Sequence, residues 1–147
     1  MREILNAESE EEISACFPVL HALRPHLVEG EFVERVRQQQ SQGYHLRYLR
    51  DSRGVVAAAG FRILDFLAWG RVLYVDDLVT LPEARQSGCG GALMDWLIAH
   101  AREQRCDELH LDSGFPRHAA HRLYLKHGLQ ISCLHFSTKL NPNPRPA

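Results

Sequence analysis

Apolar and polar residues alternate along some stretches of this chain and recur at helical spacing along others. Residues 2–7 (REILNA) read as a short strand. From Ser9 to Leu23 acidic residues come first, and Ile13, Cys16, Phe17 and Leu20 follow on one helical face until Pro25 interrupts. Glu31 to Gln42 predicts a second amphipathic helix with Phe32 and Val36 inward and Gly43 as its stop; its glutamine run reads as a solvated helix end. Residues 44–51 and 55–64 read as two strands joined by the Ser52-Arg53-Gly54 turn, hence a hairpin. A loop is expected over 65–70 and a third strand over 71–81. The following helix runs to about Gln104, because Leu93, Trp96, Leu97 and Ala101 fall on one face. Residues 107–114 predict another strand, 117–128 a short helix ending at Gly128, and 129–140 one long strand or two very short ones. The last stretch, 141–147 (NPNPRPA), has three prolines and is expected to be a disordered tail. Strand and helix alternate after an antiparallel hairpin, so the expected class is α/β, a mixed sheet flanked by helices in one domain over 1–140.

Composition narrows the function. A net charge of −1 argues against a general nucleic-acid surface. No apolar run reaches the roughly 18 residues of a membrane span, and the N-terminal residues have neither the apolar core nor the cleavage site of a secretory signal. Cys16, Cys89, Cys106 and Cys133 are far apart, which favours reduced thiols in a cytoplasm over a disulfide framework. His118 and His121 lie one helical turn apart, but no carboxylate or cysteine joins them at ligand spacing, so no metal is expected.

The densest signal is Ala84-Arg85-Gln86-Ser87-Gly88-Cys89-Gly90-Gly91-Ala92, between a predicted strand and a predicted helix. It lacks the Gly-Lys pair of a P-loop, and Leu93 stands where a dinucleotide fingerprint needs its third glycine. Unpaired N–H groups at a helix start still favour an anion, and glycine lets a phosphate approach the backbone. Arg85 can add a charge-assisted bond. A glycine-rich turn with no ligand remains the alternative.

Arg85-Gln86-Ser87-Gly88-Cys89-Gly90 is similar to the Gln/Arg-x-x-Gly-x-Gly/Ala signature of the GNAT family of N-acetyltransferases. The likeness extends over residues 71–130: "VDDLVTLPEARQSGCGGALM" resembles the family's core strand, loop and helix, and "AAHRLYLKHGL" a later helix element, with Leu129 in place of the usual Phe. The resemblance implies a splayed central mixed sheet that holds acetyl-CoA as cosubstrate. Backbone amides of Gln86, Ser87, Gly88, Cys89, Gly90 and Gly91 would cradle its pyrophosphate, with Arg85 beside them. Leu78, Val79 and Thr80 would pair with its pantetheine arm as an added strand would. The C-terminal "RHAAHRLYLKHGLQISCLHFSTKL" further resembles aminoalkylphosphonate N-acetyltransferases, which carry a similar Arg-His-x-Ala-His-Arg-x-Tyr pattern.

Acetyl transfer to an amine requires a base, because an alkylammonium of pKa about 10 has no lone pair to attack with. It also requires a donor for the thioester oxygen and an acid for the departing thiolate. The resemblance places Tyr124 as the acid. Asp76 and Asp77 interrupt an apolar strand and are the candidate bases; strict alternation puts Val75, Asp77 and Val79 on one face and Tyr74, Asp76, Leu78 and Thr80 on the other. Ser113 and His121 are weaker candidates for the base, and a backbone N–H near Val79 is expected as the oxyanion donor. Cys89 reads as a small apolar filler. The reading is an acetyl-CoA-dependent N-acetyltransferase whose acceptor is the primary amine of a small molecule, attacking directly in a ternary complex. An anion on that molecule would meet Arg117, with His121 and Arg122 nearby. A protein or peptide amine and a non-catalytic coenzyme A-binding module are the alternatives, and a homodimer is one assembly open to the chain.

Overall fold

Ser9 starts the first helix through a capping box: its hydroxyl accepts the Glu12 N–H, and the Glu12 carboxylate accepts the Ser9 N–H at 2.8 Å. The computed structural model describes residues 2–141 and 143, so most of the predicted C-terminal tail lies outside the described residues. Strand β1 (Glu3–Asn6) precedes this helix, α1 (Glu10–Ala15), and α2 (Phe17–Leu23) follows it. The single helix expected over 9–23 is therefore two. Pro18 in the first turn of α2 has no N–H to give a continuous helix, so Cys16 ends one helix and caps the next. Helix α3 (Glu29–Gln40) leads into β2 (His45–Asp51), β3 (Gly54–Phe66) and β4 (Gly70–Thr80). The loop expected over 65–70 shrinks to residues 67–69, because β3 and β4 stay paired out to Phe66↔Gly70. Helix α4 (Cys89–Glu103), β5 (Glu108–Leu111) and α5 (His118–Lys126) complete the order.

The sheet runs β1-β2-β3-β4-β5, with the first four strands antiparallel and β5 parallel to β4 after the α4 crossover. Each face carries its own core. On one, α4 and α5 cover Leu49, Phe61, Leu73 and Val75 with Leu93, Met94, Leu97 and Tyr124. On the other, α1 to α3 cover Leu46, Tyr48, Ala58 and Val79 with Ile13, Val19, Phe32 and Val36. Trp96, expected on the buried stripe of α4, packs against the first core half-buried, beside Phe61.

The strand expected over 129–140 does not form; Ile131, Leu134, Phe136 and Leu140 are exposed there. Its apolar residues change parity between Cys133 and Leu134, so one straight strand cannot keep them on a single face.

A register shift in the central hairpin positions the site. Gly60 pairs with Asp77 and Phe61 with Val75, which leaves Asp76 as an extra residue on β4.

Candidate active site

β4 is accompanied by β3 up to Ala57↔Thr80, but its pairing with β5 stops at Val75↔Leu111. From Asp76 to Thr80 one edge of β4 therefore has no strand partner among the described residues, and Leu78, Val79 and Thr80 lie on it. Such an edge offers a row of backbone donors and acceptors to an extended ligand.

Beyond β4 a short turn of 3₁₀ helix (Pro82–Ala84) leads into the glycine stretch. Gln86 (φ 65) and Gly88 (φ 83) both take the left-handed conformation, and Gly88 is the N-cap of α4 with no side-chain cap. The N–H groups of Gln86, Gly88, Cys89, Gly90 and Gly91 donate to no backbone carbonyl among the described residues. Unpaired donors and the positive end of a 15-residue helix thus meet at one place. Gly90 also serves packing: a Cβ there would stand 3.3 Å from Leu123 and 3.6 Å from the Thr80 hydroxyl. The exposed Arg85 guanidinium reaches the Thr80 carbonyl at 3.5 Å. The Ser87 hydroxyl donates to the Ala84 carbonyl, and Arg2 donates to the Ser87 carbonyl. Cys89 is buried in the α4 core.

On the opposite face a cleft of about 440 Å³ opens between α2, α3 and β4. Its lining includes Leu20, Phe32, Tyr74, Arg35, Asp76 and Asp77. Here the structure corrects the strict alternation: both aspartates face this cleft, as Val79 does that side's core, while Leu78 packs on the other. The bulge at Asp76 resets the parity.

The two carboxylates differ in environment. Asp77 is fully engaged: Tyr44 donates its hydroxyl to Oδ2 at 2.9 Å and Arg24 donates to Oδ1 at 3.0 Å. Burial, and then Asp77 itself, push the Tyr44 phenol well above its ordinary range, so it stays protonated as the donor. Asp76 has only one oxygen engaged. Arg62 donates to its Oδ2 at 2.9 Å and is itself held by Gln39, while Oδ1 is buried with no partner. Burial raises the Asp76 carboxyl above its usual range, and Arg62 offsets part of that rise.

Tyr124 projects from α5 into the core beneath α4. Its hydroxyl makes no hydrogen bond among the described residues and is not among the sealed polar atoms, so the ring is buried while the oxygen stays reachable. Burial raises its pKa, and nearby Arg117 partly counters that. Arg117 caps α5 and is exposed; His121 binds the Gly114 carbonyl through Nε2 at 2.9 Å; Ser113 Oγ is buried and unpartnered. None of these three lines the cleft, nor does Arg122, which is exposed on α5. Among the described residues no group of His, Cys, Asp or Glu side chains could hold a metal ion.

Four residues of this site escaped the sequence reading: Arg24, Tyr44, Gly60 and Arg62. Gly60 faces Asp77 across the ladder, and a Cβ there would overlap the Tyr44 hydroxyl and ring. A lone glycine inside an apolar strand is the signal that could have shown it, since it marks a bulge or a close approach.

The Acetyltransferase (GNAT) family matches this chain over residues 5–129. The chain belongs to that family: it is an N-acetyltransferase that uses acetyl-CoA. The uncharacterized N-acetyltransferase YhdJ of Bacillus subtilis (strain 168) is 30% identical over 117 residues, 79% of this chain and 82% of that protein. Among solved structures, an acetyltransferase of Trypanosoma brucei superposes with a TM-score of 0.78 at 23% identity, covering 95% of this chain and 100% of that one. An acetyltransferase of Clostridium acetobutylicum solved with acetyl-CoA gives a TM-score of 0.73 at 17% identity, over 95% and 97% of the two chains. No helix among the described residues is long and apolar enough to cross a membrane.

Proposed function

We propose that the chain, folded as one domain over 1–140, acetylates the primary amine of a small molecule in the cytoplasm, with both substrates bound at once. The observation that carries this reading is the bulge at Asp76. It lies one residue beyond the last β4–β5 pair, so a partly engaged carboxylate stands where the free strand edge begins. The amine enters through the cleft between α2, α3 and β4, and coenzyme A comes from the other side of β4.

The residues present fit that coenzyme. Free N–H groups of Gln86 and Gly88 to Gly91, with Arg85 nearby, would hold the pyrophosphate, and the backbone of Leu78, Val79 and Thr80 would hold the pantetheine arm. Acetyl-CoA supplies the acetyl group already activated as a thioester. Asp76 is the base: burial raises its carboxyl above the usual range, toward the ammonium it must deprotonate. Asp77, held from both sides by Arg24 and Tyr44, shapes the cleft wall. A backbone N–H near Val79 donates to the thioester oxygen. The Tyr124 hydroxyl holds the proton that the departing sulfur takes up.

The narrower likeness to aminoalkylphosphonate N-acetyltransferases is carried by the C-terminal sequence alone. Free-thiol release from acetyl-CoA, measured against a panel of amines, tests the reading. Turnover above the hydrolysis blank is expected with small amines. Tyr124→Phe should lower kcat on the order of 100-fold with coenzyme Kd unchanged; full activity in that variant removes Tyr124 as the acid.

A further inference from the structure

The charges around the acceptor cleft do not balance once Arg62, which stands behind the lining on Asp76, is counted. Arg24 is paired with Asp77 and Arg62 with Asp76, so each carboxylate already has its own arginine. The same cleft is lined by Arg35 and His26, and neither has an ion-pair or hydrogen-bond partner among the described residues. Arg35 is half-buried on α3, and His26 lies in the α2–α3 connection. Three arginines, Arg24, Arg35 and Arg62, thus stand against two carboxylates around a cavity whose chemistry calls for an amine. An acceptor with a second amine would meet like charge there, whereas a carboxylate, phosphate or phosphonate would find a guanidinium fork and a ring N–H.

We propose that the acceptor carries an acidic group as well as its amine, and that Arg35, assisted by His26, binds that group while Asp76 receives the amine. The inference rests on the acetyl-transfer reading above. It places the anion site on α3 and the α2–α3 connection, in the N-terminal third of the chain. Arg117, which caps α5, and Arg122 within it lie outside the cleft and are not needed for it. Leu20, Leu27, Phe32 and Val36 also line the cavity and suit a short aliphatic linker between amine and anion.

Matched amines test it. Acetyl-CoA turnover would be followed with O-phosphoethanolamine against ethanolamine, β-alanine against its amide, and 1,3-diaminopropane. The acidic members should exceed their neutral partners at least tenfold in kcat/KM, with the diamine lowest. Arg35→Ala should raise KM for the acidic members at least tenfold, leave the neutral ones within twofold, and be partly rescued by Arg35→Lys. Equal use of diamine and acidic amine, or an equal loss on both members of a pair in Arg35→Ala, overturns the proposal. Calorimetric binding of O-phosphoethanolamine to the coenzyme A-loaded protein separates this failure from that of the parent reading. Arg35-dependent binding without turnover keeps the anion site and removes acetyl transfer to these amines. Turnover of neutral amines without Arg35-dependent binding does the reverse.

Discussion

The two sides of β4 are built from different material. The side facing α4 offers backbone: an unpaired strand edge, two left-handed residues and a row of free N–H groups at a helix start. The cleft facing α2 and α3 offers side chains: Arg24 and Tyr44 from the flanks of α2 and β2 meet Asp77, and Arg62 of β3, held by Gln39 of α3, meets Asp76. A backbone site recognises what is common to every coenzyme A molecule and accepts many residue types around its glycines. A side-chain site depends on identity at each position, so under the proposed function that is where an acceptor would be chosen.

The sharpest way to break this contrast is inside the Asp-Asp pair. Asp76→Asn removes the proposed proton acceptor and should lower kcat about 100-fold or more, leaving coenzyme Kd unchanged. Asp77→Asn leaves that acceptor in place but disturbs the Arg24 and Tyr44 contacts, so stability and acceptor KM should suffer more than kcat. Steady-state kinetics against pH read both. If Asp77→Asn is the variant that loses kcat, the roles of the two carboxylates are exchanged.

Two glycine substitutions sharpen the same contrast at smaller effect. Gly60→Ala puts a Cβ into the Tyr44 ring, which must move away from Asp77; a cost of about 1–3 kcal/mol is expected, with a raised acceptor KM and an unchanged coenzyme Kd. Gly88→Val forces a β-branched residue into a left-handed conformation at φ 83, costing about 1–3 kcal/mol at the turn. Coenzyme affinity should fall about tenfold and acceptor KM should not change. Calorimetric Kd for coenzyme A, urea midpoints and acceptor KM for both variants give the comparison; the same pattern in both would erase the division between the two sides.

The same division explains what could be read in the sequence. The backbone of the side proposed for the coenzyme was legible because its residues are contiguous: the end of β4, the turn and the start of α4 occupy residues 78–91, and glycine spacing reports backbone demands directly. Most of the sheet and α4 were legible from periodicity. The cleft was not, because Arg24 and Tyr44 meet Asp77 only after α2, α3 and β2 have packed, a contact across 53 and 33 residues of chain. Parity misled at Asp76, where the bulge adds a residue that no alternation rule anticipates. At 129–140 alternation suggested strand, yet its phase changes at Cys133–Leu134 and pairing does not follow.

The smallest effect concerns a cluster away from both sites. Arg47 lies over Trp96 at 5.0 Å, and His100 stacks on the same indole, with Phe61 between His45 and His100. Burial first, and then Arg47, lower the pKa of both histidines below 6.5. Glu103 faces His100 at 3.9 Å and pulls the other way, but the net shift is downward. A histidine whose folded pKa is depressed binds fewer protons folded than unfolded. Its contribution is therefore complete above pH 6.5 and is lost as pH falls from there through the folded value. His100→Gln should flatten that acid limb, so the gap between urea midpoints at pH 7.5 and pH 5.5 should be smaller in the variant than in the parent protein. Because Asp76 and Tyr124 lie outside this cluster, kcat at pH 7.5 should stay within about twofold of the parent value. A loss of kcat together with the flattened limb would tie this aromatic cluster to the site and contradict the placement of all catalytic chemistry around β4.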